Sequence, residues 1–409
     1  TAGPSRCGGT ARAVGRLVYF VARAPLLGCE LWRTDGTADG TFVVKDIWSG
    51  PAGSSPRRLT AAGTWLYFSA SDGERPWESL WRTDGTAAGT ARVESDGVRG
   101  DIIVAADAVY FLAATMPWAY VEPWRTSIGS TVAQPISSIR PGLSLQSATH
   151  LVSAGGAAYF VADDFVNGTE LWRTDGTANG TRLVKDLAPG SGHSIFLDVA
   201  AAAGKVFFSG PDGALWASDG TAAGTAPLAD SSGVTVPSSN WVVGAQSQVF
   251  FVQGTELWRS DGTPAGTRAV GPFGHGRQVL VTAGPWAYYK VLGHDGRDQL
   301  WRSDGTGAGT VLVHAFADET PAWTLGLTPF GRRLYFHAED ALGNTLTYRT
   351  DGSAASTVRI SSIPEVDPLA TGSLSPAAAA SGYFAFHLHR VAGLEPSFLA
   401  SEPGLDAGG

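Results

Sequence analysis

The sequence has few charged residues and only two cysteines. Only 16% of its 409 residues are charged, the net charge is −8, and the lysines and arginines form no basic run. An acidic chain without basic clusters is a poor binder of nucleic acid and of anionic lipid, so no nucleic-acid partner is predicted and attachment to anionic lipid is disfavoured. No apolar run approaches the roughly 18 residues that a membrane-spanning helix needs, so no transmembrane segment is predicted.

The two cysteines, Cys7 and Cys29, both lie near the start of the chain. A CxxC metal or redox motif is absent, and the pair is predicted to form one disulfide bond that closes a loop of about 23 residues. The alternative is two unrelated buried thiols. The chain begins at Thr1 and contains one methionine, Met116, which is typical of a mature chain after removal of its leader. These features predict an exported protein that is secreted, periplasmic or at the cell surface.

Common catalytic motifs are also missing. The sequence contains no GxSxG, no HExxH, no phosphate-binding glycine-rich loop and no DxDxDG calcium loop. No cofactor and no metal site are predicted.

One string of residues recurs along almost the whole chain. Its first copy, residues 30–37, reads ELWRTDGT, and Gly-Thr follows after two further residues. The anchor aromatic residues of the copies are Trp32, Trp81, Trp124, Trp172, Trp216, Trp258, Trp301, Tyr348 and, weakly, Phe398. Their regular spacing, roughly 42 to 50 residues, is an internal repeat.

A second signature, a pair of aromatic residues within an apolar run, precedes each anchor. The pairs begin at Tyr19, Tyr67, Tyr110, Tyr159, Phe207, Phe250, Tyr288 and Tyr335, and the ninth signature is the stretch 383–386, which reads YFAF. Aromatic and β-branched runs bounded by Gly, Asp and Ser predict strands, and further strands fit before each pair and after each anchor. Four short strands per repeat are typical of a propeller blade. The prediction is an all-β fold, a single β-propeller domain of four-stranded blades over residues 1–409.

The repeated string has a structural explanation. Asp-Gly after a strand predicts a tight turn, and each anchor tryptophan is predicted to be buried between neighbouring blades. Because each copy offers one carboxylate, calcium binding at these turns is disfavoured.

The repeated string resembles the ELWxxDGT-repeat family, whose members are mostly exported bacterial proteins with predicted propeller folds. The resemblance covers nearly the whole chain and depends on six almost intact copies of the motif. It implies export and a repeat β-architecture, and it implies no particular reaction.

The number of aromatic pairs predicts nine blades. The ninth repeat stops soon after Phe398 and lacks an outer strand, which residues before Cys7 are expected to supply, closing the ring. A bridge between Cys7 and Cys29 would then hold the closure. The alternative is eight blades plus a terminal cap.

Aromatic residues in variable loops are the first candidate binding site. In a four-stranded blade, the loops between the second and third strands and the crossovers between blades open on one face, and here these segments vary most in length and content. The candidate ligand-binding residues in these segments are Trp48, Trp77, Trp118, Tyr120 and Trp323. Exposed rings stack on sugars or accept side chains of a peptide. The alternative is that they plug the loops or pack over a neighbouring blade.

Polar residues of the last three repeats are the second candidate site. The residue after the aromatic pair is Lys290, His337 and His387 in these repeats, where earlier repeats carry mostly apolar residues. Equivalent positions on consecutive blades are neighbours, so an amine and two imidazoles could gather for general acid/base catalysis. The alternative is three separate polar groups that bond loop backbone.

Three functions follow from these candidates. The favoured one is an exported, non-catalytic binding propeller whose partner is a glycan or an extracellular or cell-surface protein. The second is a hydrolase or lyase that acts on polysaccharide at the channel mouth, and the third is a structural or adhesive scaffold. Scattered aromatic residues favour binding over catalysis.

Overall fold

The computed structural model describes residues 11–24, 26–95, 97–114, 121–139, 145–189, 199–239, 242–273, 280–293, 297–316, 320–321, 327–330, 333–339, 345–363, 374–380 and 383–388. The chain divides into two compact units. Unit 1 comprises Thr1–Leu151, Gly176–Ala178 and Leu369–Gly409, and unit 2 comprises Val152–Asp175 and Asn179–Pro368. Among the described residues, no helix has the length and hydropathy required to span a membrane.

Blades 1 to 4 are four-stranded antiparallel sheets in which strand order follows chain order. Blade 1 contains β1 (Ala11–Val14), β2 (Leu17–Ala24), β3 (Gly28–Thr34) and β4 (Phe42–Val43). Blade 2 contains β5 (Arg57–Ala62), β6 (Trp65–Ala70), β7 (Ser79–Thr83) and β8 (Ala91–Arg92). Blade 3 contains β9 (Gly97–Ala105), β10 (Ala108–Ala114), β11 (Glu122–Ser127) and β12 (Gln134–Pro135), and the one-turn helix α1 (Ile136–Ile139) follows it. Blade 4 contains β13 (Gln146–Ala154), β14 (Ala157–Asp163), β15 (Thr169–Thr174) and β16 (Arg182–Leu183).

Blades 5 to 8 repeat the same order. Blade 5 contains β17 (Val199–Ala202), β18 (Lys205–Ser209), β19 (Leu215–Ser218) and β20 (Ala226–Pro227). Blade 6 contains β21 (Val242–Gly244), β22 (Val249–Gln253), β23 (Glu256–Ser260) and β24 (Arg268–Pro272). Blade 7 contains β25 (Leu280–Ala283), β26 (Trp286–Leu292), β27 (Asp298–Ser303) and β28 (Val311–Ala315). Blade 8 contains β29 (Thr320–Pro321), β30 (Thr328–Phe330), β31 (Arg333–Glu339), β32 (Thr345–Thr350) and β33 (Val358–Ile363), with a short 3₁₀ helix at Ala354–Ser356. Its first strand is broken into β29 and β30, which pair with successive stretches of β31.

The structure confirms the all-β propeller class with four-stranded blades and corrects the favoured blade count. Eight blades have four strand positions each, which matches the alternative of eight blades plus a terminal cap. The described part of the ninth repeat is a two-stranded hairpin of β34 (Leu374–Ala380) and β35 (Tyr383–Leu388). Within unit 1, β34 lies beside β1 and β2. Residues before Cys7, which were expected to close the ring, lie outside the described residues.

The two repeat signatures are cross-strand partners. In each of the eight blades the second residue of the aromatic pair stands opposite the anchor, from Phe20 opposite Trp32 to Phe336 opposite Tyr348. The ring centroids of these two pairs are 6.5 and 5.1 Å apart, respectively. Aromatic pairs across two strands stabilise a sheet, and ring contacts of this kind are present in blades 1, 3, 5, 6 and 8.

The aromatic pair also joins consecutive blades. Successive side chains of a strand point to opposite faces, so the two rings of a pair enter different clusters. Tyr19 of blade 1 packs in the same cluster as Phe68 of blade 2, and Tyr67 of blade 2 packs in the same cluster as Phe111 of blade 3. In unit 2, Tyr288 of blade 7 and Phe336 of blade 8 share a cluster in the same way. The hydrophobic core therefore lies between blades.

The first strand of each blade is the inner strand. In unit 1, β34, β1, β5 and β9 are successive neighbours, and in unit 2 the same is true of β17, β21, β25 and β30. The Thr60 hydroxyl of β5 donates to the Ile102 carbonyl of β9 at 3.0 Å. Residues at the start of first strands therefore lie close to their counterparts on the next blade.

Candidate functional site

The variable segments of unit 1 form one surface, which we call the loop face. Its described members are the blade 1–2 crossover (residues 44–56), the β6–β7 loop (71–78) and the segment before and at the start of β9 (93–95 and 97–98). The ring of Trp48 lies over Gly73, where an added Cβ would come within 2.7 Å of it. The ring of Trp77 lies over Gly97 at the same distance from an added Cβ. Crossovers and loops of neighbouring blades thus contact each other on this face.

Trp48 is the candidate aromatic residue that is both exposed and held in place. Its side chain is 37% exposed. Its backbone N–H donates to Glu30 Oε1 at 3.3 Å, and the Ser54 N–H donates to the same oxygen at 2.8 Å. The Ser54 hydroxyl donates to Glu30 Oε2 at 2.5 Å. Burial raises the pKa of Glu30, although these hydrogen bonds act in the opposite direction. The buried Glu30 carboxyl therefore fixes two points of the crossover that carries Trp48.

Charged side chains flank the glycine on which Trp48 lies. Arg92 Nη1 donates to Asp72 Oδ2 at 2.5 Å and to Glu74 Oε2 at 3.1 Å. Burial alone would raise the pKa of Asp72, but the hydrogen bonds from Arg92 and the Glu74 backbone hold that pKa below its ordinary value. The β6–β7 loop thus carries Asp72 and Glu74, both paired with Arg92 of β8, on either side of the glycine that lies under the Trp48 ring.

Trp77 occupies a different environment. Its side chain is half-buried over Gly97, and its indole Nε1 is buried without a hydrogen-bond partner among the described residues. This packing favours the alternative interpretation of Trp77 as a loop plug. The other predicted ligand-binding residues, Trp118, Tyr120 and Trp323, lie outside the described residues.

Among the predicted catalytic residues, the structure describes the side chain of Lys290 alone. Lys290 Nζ lies 2.8 Å from Asp298 Oδ2, so this amine belongs to an ion pair between β26 and β27. His337 stands opposite Thr347 in β31, and His387 stands opposite Ser375 in β35. The side chains of both histidines lie outside the described part of the structure. No group of three or more His, Cys, Asp or Glu among the described residues is placed to hold a metal ion.

One end of the predicted disulfide is described. Cys29 is 4% exposed in β3, and the described residues contain no free cysteine. Cys7 lies outside them, so its pairing with Cys29 stays a prediction.

A cavity that the sequence interpretation missed lies between blade 3 and the start of β13. Its volume is about 290 Å³, and its walls include Arg99, Asp101, Leu112, Val121 and His150. All these residues belong to unit 1. The sequence signal that would have located it is a comparison of equivalent polar positions among the repeats.

Blade 2 carries a polar network at the corresponding place. Arg58 Nη1 donates to Ser69 Oγ at 3.1 Å and to Glu78 Oε2 at 3.0 Å, and Ser69 Oγ donates to Glu78 Oε2 at 2.7 Å. Arg58 adopts a φ of +55°, which is rare for a residue with a side chain. The register of β5 against β6 shifts between Arg57 and Thr60, so a β-bulge directs Arg58 into this network.

Comparison with known proteins gives no family. No protein-family model matches the chain, and no curated protein sequence matches it. A puromycin hydrolase S511A mutant complexed with PGG is similar in structure, with 15% identity and a TM-score of 0.43 over 85% of this chain. An apo prolyl oligopeptidase B from Galerina marginata has 10% identity and a TM-score of 0.48 over 92% of this chain.

The chain spans 58% of the length of the puromycin hydrolase and 55% of that of the oligopeptidase. The computationally designed Ika8 protein has 14% identity and a TM-score of 0.47, and the match covers 87% of this chain and 96% of that protein. Identities and TM-scores this low carry no functional argument, so function is argued from the residues of this chain.

Proposed function

We propose that this chain is a non-catalytic binding propeller that recognises a glycan at the loop face of unit 1, with Trp48 as the stacking residue. The observation that carries the proposal is the exposed Trp48 ring, which lies over Gly73 between Asp72 and Glu74, two carboxylates that Arg92 holds by hydrogen bonds. A sugar has apolar C–H faces and a rim of hydroxyl groups, so it matches a flat aromatic ring with hydrogen-bonding groups at its edge.

The rigidity of the site supports the same function. Glu30 holds the backbone of Trp48, and Gly73 lets the loop below approach the ring closely. A site whose side chains are already ordered loses less conformational entropy when a ligand binds. We therefore expect the fixed Trp48 ring to bind the ligand more tightly than the same ring would on a mobile loop.

The charges favour binding over catalysis. A general acid needs a pKa near the working pH, whereas the pKa of Asp72 is lowered and its carboxylate stays ionised. Glu78 is paired with Arg58, and Lys290 in unit 2 is paired with Asp298. These paired charged side chains hold polar atoms in fixed positions, and this arrangement suits the recognition of the hydroxyl groups of a sugar.

The proposal includes export and membership of the ELWxxDGT-repeat family. The repeated motif supports both, and a Cys7–Cys29 disulfide is consistent with an oxidising compartment. The ligand is then a glycan outside the cytoplasm.

A glycan array with matched variants tests the site. Wild type should retain one class of glycan, and Trp48→Ala should weaken that binding about tenfold or more, which corresponds to roughly 1.4 kcal/mol. Phe42→Ala is the control because Phe42 is also 37% exposed in blade 1 but lies in the outer strand β4. Equal retention by wild type and Trp48→Ala would contradict the assignment, as would an array that retains no glycan while a protein partner binds.

A further inference from the structure

The cavity of blade 3 lies where three repeat positions differ between blades 2 and 3. Alignment on the aromatic pairs and anchors makes Arg58, Ser69 and Glu78 of blade 2 equivalent to Asp101, Leu112 and Val121 of blade 3. The first three residues form the polar network described above, whereas all three blade 3 residues line the cavity. Blade 3 therefore has an open space where blade 2 has a hydrogen-bonded plug.

A β-bulge aims the polar residues of blade 3 at this space. The register of β9 against β10 shifts between Phe111 and Ala113, which leaves Arg99, Gly100 and Asp101 opposite the single residue Leu112. A Cβ at Gly100 would lie 2.9 Å from Leu112 Cδ1, so the backbone of the bulge lies close against the Leu112 side chain. Bulges of this kind redirect side chains and occur next to functional sites.

The two charged residues of the bulge are available to a ligand. Arg99 and Asp101 are both exposed, and neither belongs to an ion pair among the described residues. Arg99 and Asp101 are two positions apart in the chain, so the distance between their Cα atoms is at most about 7 Å. At this distance, the two side chains can contact a ligand whose carboxylate and ammonium groups are attached to the same α-carbon. Each contact would be a charge-assisted hydrogen bond of about 2.8 Å.

The remaining walls of the cavity include both apolar and polar residues. Leu112, Val121 and Ala148 are among the apolar residues. The His150 ring Nδ1 and the Thr149 hydroxyl, 2.9 Å apart, contribute a hydrogen-bonded pair on β13. A volume of about 290 Å³ is at the lower end of the range for small-molecule sites, so the ligand is small.

We propose that this cavity binds a free α-amino acid with a medium-sized apolar side chain. Arg99 receives the carboxylate, Asp101 receives the ammonium, and the apolar wall around Leu112 receives the side chain. The site is separate from the glycan site at Trp48 and does not depend on it.

Calorimetric titration with L-leucine tests the ligand class. Leucinamide lacks the carboxylate, N-acetyl-leucine lacks the ammonium, and glycine lacks the side chain. Each should bind at least about tenfold more weakly than leucine. Absence of leucine binding at millimolar concentration would overturn the proposal. Equal affinity for leucine and either charge-deleted analogue would also overturn it, because the paired recognition of both charges would then be wrong.

Variants of the cavity test its location. Asp101→Arg combined with Leu112→Ser and Val121→Glu rebuilds the blade 2 plug in blade 3, and it should abolish leucine binding while circular dichroism shows a folded protein. Should this triple variant fail to fold, the exposed substitution Asp101→Asn provides the test, with an expected loss of about tenfold or more. Asp107→Asn is the matched control, since Asp107 is an exposed residue at the other end of the β9–β10 hairpin. Unchanged leucine affinity in the folded cavity variant would place the site elsewhere.

The two proposed sites fail independently. Trp48→Ala should keep its leucine affinity, and the cavity variant should keep the glycan retention of wild type. Loss of leucine binding in Trp48→Ala would contradict their separation.

Discussion

Two glycines in one turn of blade 7 differ only in their surroundings, so they make a matched test of the repeat turn. A Cβ at Gly309 would lie 2.1 Å from Asp304 Oδ1, whereas nothing lies within 4 Å of a Cβ at Gly307. Neither glycine adopts a positive φ, so alanine suits the backbone at both positions. We expect Gly309→Ala to destabilise the protein and Gly307→Ala to be neutral or slightly stabilising.

The magnitude follows from the hydrogen bonds of the turn. Asp304 Oδ1 accepts from the Thr306 N–H at 2.8 Å and from the Thr306 hydroxyl at 2.7 Å. A methyl group at Gly309 would displace this carboxylate. A hydrogen bond to a charged group contributes at least about 1.5 kcal/mol, and we use this lower value because the turn is exposed. Loss of both hydrogen bonds should therefore lower the free energy of unfolding by about 3 kcal/mol. Gly307→Ala should add about 0.4 kcal/mol by restricting the unfolded chain.

Differential scanning calorimetry measures the difference. With an unfolding entropy of about 2.1 cal/mol/K per residue, the two variants should differ in midpoint by roughly 4 °C. Gly307→Ala should unfold at or just above the wild-type temperature. Equal midpoints for the two variants would mean that the Asp304 carboxylate does not occupy the space beside Gly309.

Three further predictions concern pH and redox state. The pKa of Asp72 is lowered in the folded protein, so its stabilisation is present above its unfolded value of 3.8 and is lost as the pH falls through the folded pKa. Asp72→Asn should therefore lower the urea midpoint at about pH 7 and much less at about pH 3, and an equal loss at both would be contrary evidence. Burial raises the pKa of Glu30 in the folded protein above the unfolded value of 4.5. The contribution of Glu30 to wild-type stability is therefore lost as the pH rises from 4.5 through the folded pKa. Glu30→Gln should gain stability relative to wild type over that range. Reduction of a Cys7–Cys29 bridge should lower the free energy of unfolding by about 3 kcal/mol, and a midpoint unaffected by dithiothreitol would contradict the bridge.

The blades were predictable from the sequence because their signals are local and repeated. An aromatic pair followed by an anchor specifies two paired strands, and the register observed in all eight blades puts the same two positions opposite each other. The two adjacent rings of each pair also have a physical explanation. Successive side chains of a strand point to opposite faces, so one ring packs against each neighbouring blade, as Tyr67 and Phe68 do.

The candidate sites were less predictable because they depend on contacts between distant segments. Nothing near Trp77 in the sequence indicates that Gly97 lies under its ring, whereas Trp48 stays half-exposed over the similar Gly73. The blade 3 cavity depends on what is missing, since Leu112 and Val121 stand where Ser69 and Glu78 hold Arg58 in blade 2. Such a vacancy becomes visible only when equivalent repeat positions are compared for hydrogen-bonding capacity as well as for hydrophobicity.

Binding without catalysis at Trp48 is tested by incubating wild type and Trp48→Ala with the glycan that the array selects. Bound ligand is quantified by titration, and the ligand mass is then measured by mass spectrometry. Wild type should bind the glycan saturably, the variant should bind it weakly, and the mass of the glycan should not change. Fragments of the glycan after incubation with wild type would contradict it and would establish an enzyme.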